Sequence, residues 1–241
     1  MTDMNLLEIA ERRGPFAVVY MDASPDLDDA AQPWDLRCRS IRERLVTAGA
    51  SQGMLDQFDR AITDSPPRRG WAGRLLILDE NTVHADEYLP EPPAREVVRV
   101  SALPYLIPLL RQHASAGSGP DTRRQQQEVL DTFATEFGRE GGLAVAGLGA
   151  TADALRMANV DRLLIDPDRL GDRTVLVGAD RAQVVAGPDG PASWTAGTAP
   201  HQTCRADEAL PVAALLMGAE VTTVSGGLPS EDGVAALVRQ R

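Results

Sequence analysis

Residues 143–166, "LAVAGLGATADALRMANVDRLLID", admit two folds. Residues 147–152 read G-x-G-x-x-A, and Asp166 ends the next apolar run at about the 20-residue offset of a dinucleotide-binding fingerprint. That fingerprint needs a strand just before its first glycine, yet "GGLAVA" offers only Val145 as a β-branched residue. Leu143, Ala146, Ala150 and Ala154 fall at helical spacing instead. The stretch is therefore read as helix, turn and strand, with the helix passing through Gly147 and Gly149. Each glycine then costs about 1 kcal/mol relative to alanine, which close helix packing can offset. A cofactor loop built on Gly147 to Asp166 stays open as the rival.

Toward the C-terminus, "RADEALPVAALLMGAEVTTV" at 205–224 places two acids before an apolar run. Pro211 lacks an N–H and suits a first helical turn, which puts Asp207 and Glu208 at or just before the positive helix end. They are read as a cap, not as catalytic carboxylates. The run from Val212 to Met217 is apolar on every side, hence buried, and Gly218 suits the C′ position before a strand "VTTV". "TVLVGA" and "AQVVAG" read as strands, and "EDGVAALVRQR" as a final helix. Before the opening stretch, "RRQQQEVLDTFATEFGRE" is a helix with Val129, Leu130, Phe133 and Phe137 on one side. Alternating helix and strand predict an α/β layered domain over 124–241.

The N-terminal part reads differently. A short helix around Leu6 to Ala10 stops at Gly14-Pro15, the strand "FAVVYMD" follows, and two helices cover "PWDLRCRSIRERLVTAG" and "SQGMLDQFDRAITD". "WAGRLLILDE", "TVHADEYL" and "REVVRVS" are strand-like runs separated by turns. The expectation is an α+β domain over 1–111, and a linker at 112–123 rich in Gly, Ser and Pro.

Composition removes several classes. All 24 basic residues are Arg, so no lysine nucleophile, Schiff base or P-loop lysine exists. Net charge is −11, so any nucleic-acid contact is expected to be local, with no DNA or membrane partner. Cys38 and Cys204 are expected to be reduced thiols of a cytoplasmic protein, and the acidic N-terminus lacks the pattern of a signal peptide.

Candidate sites are sparse. Asp22, Asp26, Asp28 and Asp29 lack the spacing of a calcium loop and read as a solvated acidic turn. His84, His113 and His201 are far apart, with no HExxH, and read as exposed. No GxSxG elbow occurs, and no cofactor, metal or catalytic residue is expected. "SPPRRGWAGR" gathers Arg68, Arg69, Trp71 and Arg74, a candidate contact for RNA phosphates and bases, against the alternative of a hairpin turn whose Trp begins a core strand.

"GLGATADALRMANVDRLLID" resembles the helix-turn-strand that opens the C-terminal domain of the archaeal and eukaryotic class-one release factors and Pelota, a fold related to kink-turn-binding ribosomal proteins. "RADEALPVAALLMGAEV" is similar to the helix and strand near that domain's end. "GPFAVVYMD", "GRLLILDE" and "VVRVSALPYLIPLL" resemble the N-terminal domain of actinobacterial relatives, some regarded as ribosome hibernation factors. The resemblance implies a third, middle domain between "PYLIPLL" and "RRQQQEVLDTF", where this chain has only the linker, by natural shortening or by excision. It also implies a Gly-Gly-Gln loop in that domain, whereas Gly141-Gly142 and Gly226-Gly227 are each followed by Leu. The expectation is a cytoplasmic translation or ribosome hibernation factor that binds the ribosome without chemistry. Its C-terminal domain would contact a translational GTPase, and a stress-response scaffold or a dinucleotide-dependent enzyme are the rivals.

Overall fold

The computed structural model describes residues 6–24, 34–65, 72–115, 120–187 and 202–240. The chain divides into two compact units, one taking Arg12–Tyr105 and the other combining Leu6–Glu11 with Leu106–Arg241. The division differs from the expected boundary near 111, because α1 (Leu6–Glu11) and the helix after Tyr105 pack on elements of the second unit. Mixed α/β structure in several sheets agrees with the expected class. No helix among the described residues is long and apolar enough to cross a membrane.

The first unit contains β1 (Phe16–Asp22), α2 (Trp34–Thr47), α3 (Gln52–Asp64), β2 (Gly73–Leu78), β3 (Val83–Leu89) and β4 (Val97–Ser101). Its sheet is antiparallel, in the order β3-β2-β1-β4. Register sets the core: Val19 stands opposite Leu76 on one side and Val98 on the other, and Ala17 opposite Leu78 and Val100. These residues share the face that Ile41 and Leu45 of α2 and Met54 and Phe58 of α3 cover. Each large side chain so buried contributes about 1.5–3 kcal/mol. α3 begins where the sequence predicts, with the Ser51 hydroxyl accepting the Met54 N–H at 3.4 Å as an N-cap.

In the second unit follow α4 (Ile107–Ser115), α5 (Pro120–Gly138), β5 (Ala144–Ala146), α6 (Leu148–Arg156), β6 (Val160–Ile165), α7 (Pro167–Leu170), β7 (Thr174–Val177), β8 (Val184–Ala186), β9 (Gln202–Arg205), α8 (Ala206–Leu216), β10 (Glu220–Thr223) and β11 (Val234–Val238). One sheet runs β10-β6-β11-β5 and a smaller antiparallel one β8-β7-β9. Phe133 of α5 is 1% exposed and packs with Leu164, Val224, Leu228 and Ala235, while Phe137 stacks on Phe133 but stays half-exposed.

Three expectations are corrected here. Residues 144–146 form a strand, not a helix, because they pair with 235–237 of β11, and the helix begins only at Leu148. "VAALV" is likewise a strand, not the final helix: it lies between β5 and β6, and pairing on both sides outweighs the helical preference of Ala and Leu. The expected linker at 112–123 is largely helical, since α4 reaches Ser115 and α5 starts at Pro120; residues 116–119 lie outside the described set.

The new start of α6 separates its two glycines. Gly147 is the N-cap with φ 93° and ψ 156°, a region open essentially to glycine alone. Gly149 is helical and a methyl group there meets nothing within 4 Å. Gly147→Ala is expected to destabilise the protein by about 1–3 kcal/mol and Gly149→Ala to stabilise it by up to about 1 kcal/mol. Urea unfolding of the two variants checks this, and equal effects would contradict the assigned helix start.

Candidate functional site

The carboxyl ends of the parallel strands β5, β6 and β10 and the start of β11 meet at one end of the larger sheet. Gly147 N–H donates to Val234 O at 2.9 Å, Asp166 N–H to Gly233 O at 2.7 Å, and Val224 N–H to Ile165 O at 2.8 Å. Ligands of open α/β sheets bind at such an end, and here the strand-glycine-helix sequence that the dinucleotide rival requires is present.

The polar groups at this end are engaged with one another. One Asp232 oxygen accepts the Leu148 N–H at 3.1 Å, at the start of α6, and the other pairs with Arg173 Nε at 2.9 Å. A carboxylate thus occupies the positive helix end where a pyrophosphate would have to lie. Asp166, 3% exposed, accepts the Gly226 N–H at 2.7 Å and caps α7 through the Arg169 N–H at 3.4 Å. Arg169 in turn donates to Leu228 O at 2.9 Å. β11 also lies between β5 and β6, whereas a dinucleotide fold sets the first two parallel strands side by side. Gly233 makes the closure possible: with φ 67°, a Cβ there would stand 2.7 Å from Asp166 O.

Asp207 and Glu208 occupy the second and third positions of α8, not a cap, and are 5% and 2% exposed. The Arg205 guanidinium grips Asp207 with two bonds of 2.9 Å and reaches Asp172 at 2.6 Å and Gly171 O at 3.0 Å. Hydrogen bonding to Asp207 raises the Arg205 pKa against burial, and Asp172 adds to the rise. Pro211 lies in the second turn, where its missing N–H deprives the Asp207 carbonyl of a helical donor. Both acids retain their place at the positive helix end, buried, and Arg205 holds Asp207.

Of the predicted RNA contact, Arg68, Arg69 and Trp71 lie outside the described residues. Arg74 does not face solvent: it is 0% exposed. The register puts it on the same face of β2 as Leu76 and Leu78, beneath the C-terminal end of α3. Nε and Nη2 donate to the two Asp86 oxygens at 2.8 and 2.9 Å, Nη2 also to Ala61 O at 2.7 Å and Nη1 to Ser65 O at 2.7 Å. The guanidinium lies 5.1 Å from the Tyr88 ring centre. Arg74 is therefore a core residue that joins β2, β3 and α3, and the RNA-contact expectation is corrected for it.

Other candidates resolve locally. Asp22 accepts the Ser24 N–H at 2.8 Å; Asp26, Asp28 and Asp29 are outside the described residues, as is His201. His113 is exposed as expected. His84 is not: its ring nitrogen is 2.7 Å from Asp79, and Phe16 meets the ring edge-on at 5.7 Å. Burial pushes the Asp79 carboxyl up, but bonds from the Asn81 N–H, His84 and the Thr82 N–H outweigh it and hold the group below the usual carboxylate range. Burial pushes both thiols, Cys38 and Cys204, up to about 11, so they are poor nucleophiles at neutral pH. Among the described residues no group of three or more His, Cys, Asp or Glu side chains is placed to hold a metal ion.

Sequence reading missed the Arg74–Asp86 pair, although its signal was present in the alternation Arg74, Leu76, Leu78. Arg74→Ala is expected to cost about 3 kcal/mol, since it strands Asp86 and two carbonyls. Arg74→Lys should recover only part, because an ammonium cannot form the planar fork. Urea unfolding measures both, and a loss below about 1 kcal/mol for Arg74→Ala would contradict the structural role.

No known family profile matches the chain. Similar proteins occur in Mycobacterium tuberculosis: the uncharacterized proteins MT2704 and Rv2629, from two strains, are each 25% identical over 366 residues, covering 99% of this chain and 97% of the relative. The chain has 241 residues. The relatives therefore carry long sequence within the aligned span that has no counterpart here.

Proposed function

We propose that this protein is a ribosome-associated translation or hibernation factor of the release-factor and Pelota-like kind, which acts by binding and does not hydrolyse peptidyl-tRNA. The observation that carries the reading is where the resembling segments lie. "GPFAVVYMD", "GRLLILDE" and "VVRVSALPYLIPLL" contain β1, β2, β4 and the start of α4, and the C-terminal segments contain α6, β6, α8 and the start of β10. These are the framework elements of the two units, so the likeness concerns the fold and not a surface motif. The extra sequence of the mycobacterial relatives fits the absence here of a middle domain such as the family's.

On this reading the first unit approaches the decoding region of the small subunit, with Arg68, Arg69 and Trp71 as its local RNA contact. The C-terminal unit takes a protein partner, a translational GTPase. Hydrolysis requires a group that positions water at the ester. Leu143 and Leu228, which follow the chain's two Gly-Gly pairs, can neither donate nor accept a hydrogen bond with their side chains.

The dinucleotide rival draws support from the strand that precedes Gly147. It is weakened by the Asp232 carboxylate at the start of α6, which would repel a pyrophosphate.

Co-sedimentation with stationary-phase ribosomes tests the proposal. The protein should pellet with ribosomes, and Arg68→Glu with Arg69→Glu should weaken pelleting and flatten its salt dependence. No pelleting by the unaltered protein would favour a scaffold role, and saturable NADH binding would favour the enzyme.

A further inference from the structure

α2 carries apolar side chains on two sides. Ile41 and Leu45 belong to the core of the first unit and are 1% and 0% exposed. Leu36 and Val46 lie on the opposite side and are 45% and 52% exposed. Among the described residues of the first unit no other large apolar side chain is so open. The two are not scattered singly. Leu36, Arg39, Glu43 and Val46 stand at i, i+3, i+7 and i+10, the spacing of a helix–helix seam. At 100° per residue they form a stripe about 80° wide, centred opposite Ile41.

The charges in the stripe are unspent. Of the four arginines of α2, three are bound within the chain: Arg37 donates to Asp22 O at 2.9 Å, Arg42 to Asp59 at 3.0 Å and Arg44 to Glu96 at 2.7 Å. Arg39 is the fourth. Neither it nor the Glu43 carboxylate, both exposed, has a side-chain partner among the described residues. The stripe is also complementary to itself. Leu36 and Val46 each stand five residues from Ile41, and Arg39 and Glu43 each two. A second α2 laid antiparallel, with both Ile41 residues at one level, sets Leu36 against Val46 of the second copy and Arg39 against its Glu43. A two-fold axis makes each contact twice. A parallel pair would instead set Arg39 against Arg39 and Glu43 against Glu43, which like charge opposes.

We infer that the outer face of α2 is a dimer interface: a second copy of this chain docks antiparallel on the stripe from Leu36 to Val46, about a two-fold axis level with Ile41. The apolar ends lose water, and the two exchanged ion pairs set orientation and register. A helix of 14 residues spans about 21 Å, so the contact is small and the dimer forms only as concentration rises. The inference does not depend on the proposed ribosomal role.

Sedimentation equilibrium of the full chain between about 5 and about 500 µM tests it. The unaltered protein should dimerise within that range. Arg39→Glu and Glu43→Arg should each weaken dimerisation at least about tenfold, because both pairs become like-charged. Mixed in equal amounts, the same two variants should associate about as strongly as the unaltered protein, since one copy then carries two acids and the other two arginines. Leu36→Ser with Val46→Ser should abolish association, and urea unfolding checks that every variant is folded. Three results would overturn the interface: an unaltered protein that stays monomeric throughout, a dimer that either the charge variants or the apolar pair leaves unchanged, or charge variants that fail to associate when mixed.

Discussion

The second unit rests on one topological constraint: its last strand enters the middle of its sheet. β11 separates β5 from β6 and hydrogen-bonds to both. Among the described residues β5 pairs with β11 alone, so this edge of the sheet depends on residues 234–238 being in place. Such pairing is of long range in sequence and makes closure of the sheet late and cooperative. It also fixes the polar end of the sheet. Inserting β11 brings Asp232 and Gly233 between the starts of α6 and α7, where Asp232 meets the Leu148 N–H and Gly233 accepts from Asp166.

That constraint explains which parts of the fold are legible in sequence. β1, α2, α3, β2, β3 and β4 follow from period, capping and turn chemistry, since in "FAVVYMD" and "GRLLIL" β-branched and large apolar residues coincide with strands. β5 and β11 do not. "AVA" and "VAALV" are short, rich in good helix formers, and lack alternation because β11 is covered on both faces. The helical spacing of Leu143, Ala146, Ala150 and Ala154 is real but spans a strand, a left-handed glycine and a helix. Only the pairing with β11 decides against it.

The candidate site was legible to a smaller degree. A cluster of arginines beside a tryptophan signals charge, but not which guanidinium points inward. Register decides that for Arg74, placing it with Leu76 and Leu78. Asp207 and Glu208 are expected at or just before the positive end of α8 and stand inside its first turn, because Pro211 is tolerated one turn deeper than its usual place. A chain whose cations are all arginine suits these buried pairs: Arg74 with Asp86 and Arg205 with Asp207 are both bidentate.

The functional account follows from the same division of labour. At the polar end of the larger sheet, Asp166, Asp232, Arg169 and Arg173 bind neighbouring parts of their own unit. The proposal accordingly assigns binding to surfaces and gives the strand ends a structural role. Its most direct test is chemical footprinting of small-subunit RNA with the purified protein bound to stationary-phase ribosomes. The account predicts protection in the decoding region that disappears at high salt. Ribosomes that carry the protein yet show an unchanged decoding region would contradict it.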